Sequence, residues 1–150
     1  MDRDANEDGF TLVELMVVIV IIGLAMAAVV VAIPARQSRL ADDADAFAAK
    51  LVTARDLSVI AGHDIAVAVD ANGYAFSHRD GAGWRVTTER PLQSKPWPTG
   101  TAAQTRIESG DKLVFDSTGL ATPALIMLQR GSSRASVVVD AAGNVHVEAR

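Results

Sequence analysis

One stretch of this chain limits its folding options more than any other. Residues 15–35 read Leu-Met-Val-Val-Ile-Val-Ile-Ile-Gly-Leu-Ala-Met-Ala-Ala-Val-Val-Val-Ala-Ile-Pro-Ala, 21 positions without a charge. As a helix rising 1.5 Å per residue, that length covers about 30 Å, the thickness of a bilayer's hydrocarbon core. A buried helix of a soluble domain usually keeps a polar face, and this segment has none. A secretory signal peptide has a shorter apolar region, about 7–15 residues, behind a basic segment; here the preceding residues are acidic. The run predicts one membrane-spanning helix.

Charge is distributed as unevenly as hydrophobicity. The net charge is −4, from 14 bases and 18 acids. Removing Arg3 from the bases, and Asp2, Asp4, Glu7, Asp8 and Glu14 from the acids, leaves 13 of each. A neutral body with scattered charges lacks the electrostatic footprint of a nucleic-acid binder, so no nucleic-acid partner is expected. One apolar run excludes a multi-span transporter, and the remaining length suits one modest core. With no cysteine in the chain, thiol catalysis, disulfides and cysteine-ligated metals are excluded.

Glu14 stands at the border of the apolar run. A carboxylate costs about 2.5–3.5 kcal/mol at the bilayer centre and less near the interface, so such a residue usually has a partner and a role. The segment Gly9-Phe10-Thr11-Leu12-Val13-Glu14, running straight into the apolar helix, resembles the class III signal of type IV pilins and type II secretion pseudopilins. The resemblance implies that a prepilin peptidase cuts between Gly9 and Phe10 and N-methylates the new Phe10 terminus. It makes Glu14 the assembly glutamate, which neutralises the Phe10 ammonium of an adjacent subunit. Opposite charges in low dielectric attract strongly and each alone is costly, so the pair would set the axial register between packed helices.

Two features depart from that family's pattern. Its leaders usually carry lysine or arginine, whereas this one sets Arg3 among four acids. Arg36 and Arg39 beyond the run tilt a basic-residue count toward the inverted orientation, while cleavage requires the N-terminus to be cytoplasmic. Pro34, near the end of the run, is expected to kink the helix by removing a backbone hydrogen bond.

From residue 36 to 62 the helical period continues. Leu40, Ala44, Phe47, Leu51 and Ala54 are spaced 4, 3, 4 and 3 apart, with charges on the other faces and Gly62 as a stop. The period then changes to two. Residues 65–69, a turn at 70–73 and residues 74–76 read as a hairpin; 84–87, 113–115, 124–128, 136–139 and 145–147 are further short strands. A long helix followed by antiparallel strands is an α+β architecture. The expected organisation is a cleaved leader (1–9), a membrane and assembly helix (10–35), its amphipathic continuation (36–62) and a β-rich periplasmic domain (63–150).

The second half carries a narrower resemblance. Leu113-Val-Phe115-Asp116-Ser-Thr-Gly119, then a strand, then Val137-Val-Val139-Asp140-Ala-Ala-Gly143-Asn-Val145, is similar to the C-terminal domain of minor pseudopilin H of type II secretion. Minor pilins of the FimT/FimU kind are related to it. The last forty residues lack the acidic, glycine-rich calcium loop of the major pseudopilin. This family implies a pilin-like fold and a subunit of a periplasmic pseudopilus, near its tip, that helps drive folded exoproteins through an outer-membrane secretin. It also implies prepilin peptidase, major and minor pseudopilins, an inner-membrane assembly platform and inner-membrane lipid as partners. A minor pilin of a type IV pilus, serving adhesion, motility or DNA uptake, is the alternative; a membrane-anchored ligand-binding protein is a third reading.

No catalytic residue, cofactor or metal site is expected. His63, His78 and His146 lack ligand spacing, and a metal would need the fold to gather them. Serines and aspartates occur without a nucleophile elbow, and Gly81-Ala-Gly83 precedes a strand, so it is a turn and not a phosphate cradle. Residues 91–110, rich in proline and glycine, read as an irregular loop. Trp97 at its middle is a candidate contact for other subunits, or else a lid on the small core.

Overall fold

The computed structural model describes residues 12–32, 40–81 and 83–149, with side chains over 12–26, 40–81 and 83–148. They fall into two compact units, residues 1–37 and 38–150.

In the first unit, α1 (Leu12–Ala32) is a 21-residue helix with Glu14 in its first turn. Every described side chain on it is exposed, including Leu24 at 67% and Met26 at 66%. Its apolar surface has no preferred side, because leucine, valine and isoleucine occur at nearly every position of each turn. Among the described residues no helix is long and apolar enough to cross a membrane. The described side chains of α1 end at Met26, and that portion covers about 22 Å as a helix. The Gly9–Phe10 bond, Pro34 and the junction between the two helical segments lie outside the described residues.

The second unit is built on α2 (Leu40–Ala61). The 4-3-4-3 stripe of Leu40, Ala44, Phe47, Leu51 and Ala54 is buried, and Ser58 extends it. Gly62 stops the helix with φ of 67°, a conformation that costs glycine nothing.

Two antiparallel sheets complete the unit. The first has the order β3 (Gly83–Val86), β2 (Gly73–Asp80), β1 (Ile65–Val69), β6 (Leu113–Phe115), with β4 (Lys95–Pro96) also pairing with β2. The second has the order β5 (Thr101–Ile107), β7 (Ala124–Arg130), β8 (Ser133–Val139), β9 (Val145–Ala149). Helix α2 packs on β7, β8 and β9 of one sheet and on β1 and β6 of the other. The core lies in this angle, where Phe47, Phe76, Phe115, Leu51, Ile126, Leu128 and Val137 are almost fully removed from water. Period-two alternation puts Ile126, Leu128, Val137 and Val139 inside, while Met127 and Gln129 face out.

The α+β architecture and the order of helix then strands agree with expectation. One segment does not: residues 91–110 read as irregular from the sequence, yet β5 occupies seven of them. Pro96, Pro98 and Gly100 govern the first half of that segment, but Thr-Ala-Ala-Gln-Thr-Arg-Ile alternates half-buried and exposed positions against β7. Partner strands decide such weakly patterned segments, since β propensity mostly reports packing on neighbours.

Candidate functional site

Two places hold residues that the sequence singles out, and a third comes from the fold alone. At the N-terminus only Glu14 is described, in the first turn of α1, where a carboxylate also complements the helix dipole. Gly9 and Phe10 lie outside the described residues, which begin at Leu12.

Trp97 is the second. The structure places it in the core, 8% exposed, and not on an outer surface. Its ring centroid lies 5.2 Å from Phe47 and 5.0 Å from Tyr74, and Phe47 and Tyr74 are 4.7 Å apart. The indole N–H donates to the carbonyl of Asp70 at 2.9 Å, and the Trp97 amide donates to the carbonyl of Asn72 at 2.9 Å. Trp97 therefore fastens the long connection onto the β1–β2 turn and fills the angle beside α2. A tryptophan offers a large apolar body with one donor, and both are used here. Burial, and then the charge of Asp43, push the Tyr74 hydroxyl above its ordinary pKa, so it stays protonated.

The third place is where the two sheets meet at the C-terminal part of α2. The turns Asp116-Ser-Thr-Gly119 and Asp140-Ala-Ala-Gly143 have the same local chemistry. The Asp116 carboxylate accepts from the Thr118 hydroxyl at 2.6 Å and from the amides of Thr118 and Leu120. The Asp140 carboxylate accepts from the side chain and the amide of Asn144, both at 2.9 Å. These bonds hold both carboxyls below the ordinary carboxylate pKa, led by the Thr118 hydroxyl for Asp116 and the Asn144 side chain for Asp140. The turns touch each other: the Ala121 amide donates to Ala141 O at 3.1 Å. Arg55 of α2 donates to Gly143 O at 3.2 Å, and the buried Ser58 hydroxyl lies 2.8 Å from Asp116 O. The two repeated turns thus form one joint that ties both sheets to the helix. Their Asp-x-x-Gly repeat is visible in the sequence, but their contact and the part played by Arg55 are not.

A second tie crosses the other part of α2. Asp43 pairs with Arg130 at the end of β7, and Arg130 also donates to the Thr101 hydroxyl at 2.7 Å, where β5 begins. Of the three histidines, the fold brings together His63 and His78, ring centroids 5.4 Å apart, while His146 lies on β9. Among the described residues no group of three or more histidine, aspartate or glutamate side chains could hold a metal ion. An open groove of about 560 Å³ lies on the outer face of the second sheet, between Gln104, Met127, Gln129, Arg134, Ser136 and Glu148. Its lining mixes polar and apolar groups, and it contains no histidine or aspartate.

The chain matches two known families over separate stretches. The prokaryotic N-terminal methylation motif matches residues 4–30, and the family described as type II transport protein GspH matches residues 43–143. Among solved structures, it resembles the minor pseudopilin EpsH from the type 2 secretion system of Vibrio cholerae. That likeness has a TM-score of 0.62 at 18% identity, covering 71% of this chain and 94% of the other. It also resembles the type IV minor pilin FimU of Pseudomonas aeruginosa, with a TM-score of 0.56 at 16% identity, covering 71% and 89%. No curated protein matches the chain.

Proposed function

The chain belongs to the type II transport protein GspH family, and from that membership we propose that it is a minor pseudopilin of a type II secretion system, a structural subunit of the periplasmic pseudopilus. The observation that carries this reading is the order of the two family matches. A methylation motif covers residues 4–30 and a GspH domain covers 43–143 of the same chain. A processing signal, an apolar assembly helix and a folded body occur in the sequence a fibre subunit requires.

In this reading prepilin peptidase cuts between Gly9 and Phe10 and methylates Phe10. The precursor is held in the inner membrane by residues 10–35, with its N-terminus cytoplasmic and its β-rich domain periplasmic. After cleavage the Phe10 ammonium must enter an apolar environment, and Glu14 of a neighbouring subunit supplies the opposite charge. Loss of residues 1–9 discards most of the net negative charge, so the mature subunit is close to neutral. The exposed apolar surface of α1 is what lipid covers first and other assembly helices cover in the fibre. Pro34 loosens the helix at the end of that segment. The family is one of structural subunits, and we assign no catalytic step to any residue. Near the tip, a few copies would join other pseudopilins and help drive folded exoproteins through the secretin. The partners are prepilin peptidase, the other pseudopilins and the inner-membrane assembly platform.

The resemblance to FimU in fold keeps a second reading, a minor pilin of a type IV pilus, which shares the same processing and assembly chemistry. Deleting the gene separates the two: loss of exoprotein secretion supports the first, and loss of pili with normal secretion supports the second. The processing claim is tested by expressing the precursor with and without prepilin peptidase and reading the N-terminus by mass spectrometry. Methylated Phe10 is expected only with the peptidase, and an intact Met1 in both samples would overturn the reading. Glu14→Ala is expected to leave processing and insertion intact while lowering recovery in sheared fibres; wild-type recovery would remove the charge pair.

A further inference from the structure

We propose that the open edge of β5 is a strand-addition site that takes an extended segment of another subunit of the fibre. The inference rests on the fibre-subunit reading above. Of the outer strands of the two sheets, β3 has four residues, β6 three and β9 five, whereas β5 has seven. Among the described residues β5 pairs only with β7.

The phase of that ladder identifies which backbone groups face outward. The Glu108 amide donates to Pro123 O at 3.0 Å, so 108 and 123 form a hydrogen-bonded pair in the β5–β7 register. Antiparallel ladders alternate, so Arg106, Gln104 and Ala102 bond inward to Leu125, Met127 and Gln129. Thr101, Ala103, Thr105 and Ile107 turn their N–H and C=O groups to the open side. Thr101 agrees with this phase: its amide donates to Pro98 O at 3.1 Å and not to β7. Ala103, Thr105 and Ile107 thus offer an alternating row of donors and acceptors. The side chains of Ala103 and Ile107 pack against the core, so the row is held straight before anything binds.

Proteins normally blunt such an edge with lysine, proline, a bulge or shortness. Within β5 there is no proline, and Arg106 is its only charge. Water meets these groups one at a time in the free subunit, whereas an extended backbone matches the whole row in register. The side chains of Ala102, Gln104 and Arg106 stand exposed on the outer face, beside the groove that runs on to Met127, Gln129 and Arg134. Arg106, the charge on the edge strand itself, favours an acidic residue opposite it on the incoming strand. The small Ala102 leaves room for a long apolar side chain to lean toward Met127. The occupant is therefore an extended segment with an acidic residue and, four positions away on the same face, a large apolar one.

The test is Thr105→Pro in the full-length chain, expressed with the other fibre subunits. Proline removes one outward N–H and leaves the ladder to β7 intact, because Gln104 and Arg106 make those bonds. Thr105→Ala removes the side chain and keeps the amide. Both variants are expected to be processed before Phe10 and to melt within about 5 °C of wild type. Recovery in sheared fibres should fall at least about tenfold for Thr105→Pro, while Thr105→Ala behaves as wild type. Equal recovery of Thr105→Pro and wild type would overturn the proposal, as would equal losses in both variants. Backbone hydrogen exchange on the wild-type chain gives a check independent of any substitution. The amides of Ala103, Thr105 and Ile107 should exchange quickly in the detergent-solubilised subunit and slowly in the fibre; fast exchange in both would also overturn it. A wild-type subunit that dimerises in light scattering, with Thr105→Pro monomeric, would assign the edge to a second copy and refute the heterologous strand. If the wild-type chain is neither processed nor found in fibres, the fibre-subunit reading itself fails. If it is found there and Thr105→Pro is too, only the edge proposal fails.

Discussion

Replacing Gly143 with alanine tests the joint between the two sheets. Gly143 adopts φ of 78°, and a Cβ built on it would meet Gly119 O at 2.2 Å and Arg55 Cδ at 3.0 Å. The first contact is far inside van der Waals range and involves backbone, which cannot swing aside as a side chain can. Two costs add. Holding an L-residue in the left-handed region costs about 1–2 kcal/mol. Forcing one extra carbon into a filled space typically costs about 1–3 kcal/mol. The total is about 2–5 kcal/mol, which for a domain near 100 residues lowers the melting temperature by at least about 8 °C. Gly110→Ala separates the two terms. Gly110 has φ of 82°, and a Cβ there would meet nothing within 4 Å, so it bears the backbone cost alone. Thermal unfolding of both variants followed by tryptophan fluorescence should show Gly143→Ala less stable than Gly110→Ala by about 1–3 kcal/mol. Equal melting temperatures would refute the reasoning: the turns would then separate without loss, and the joint would not hold the sheets.

Trp97→Ala should destabilise the folded unit by about 3–5 kcal/mol, the usual range for deleting a buried large aromatic; a loss below about 1 kcal/mol in a denaturant titration would return Trp97 to the surface. Acid should weaken the same joint. Asp116 and Asp140 have folded pKa values held below those of the unfolded chain, so their contribution is present above the ordinary carboxylate pKa and is lost as pH falls through the depressed values. The melting temperature should therefore drop below about pH 4, and by less in the Asp116→Asn, Asp140→Asn double variant. An identical pH profile for that variant would exclude these two carboxylates as the source.

Much of the architecture was legible from local pattern. The Leu40, Ala44, Phe47, Leu51 and Ala54 stripe is a helical period, and each of those residues is buried. The hairpin at 65–76 follows from alternation around an Asp-Ala-Asn-Gly turn. Strand β5 was hidden because its residues are small or polar, and a strand of that kind is specified by its neighbour more than by itself. Trp97 was ambiguous for a different reason. A tryptophan in a proline-rich segment suits an interface or a core lid equally well, and only the positions of Phe47 and Tyr74 decide between them.

What the sequence by itself determined is what depends on near neighbours in the chain: the uncharged run, the Gly9–Glu14 signal, the helical stripe and the turn residues. These fix the apolar character of α1, the match to the N-terminal methylation motif and the α+β order, because hydropathy and backbone preference act within a few residues. The tertiary structure alone decided which distant groups meet. It set the Asp116 and Asp140 turns against each other under Arg55, put Trp97 inside, and left the backbone of Ala103, Thr105 and Ile107 on an open edge. Those outcomes depend on packing and strand register between segments far apart in the chain, where a shift of one residue exchanges the buried and exposed faces.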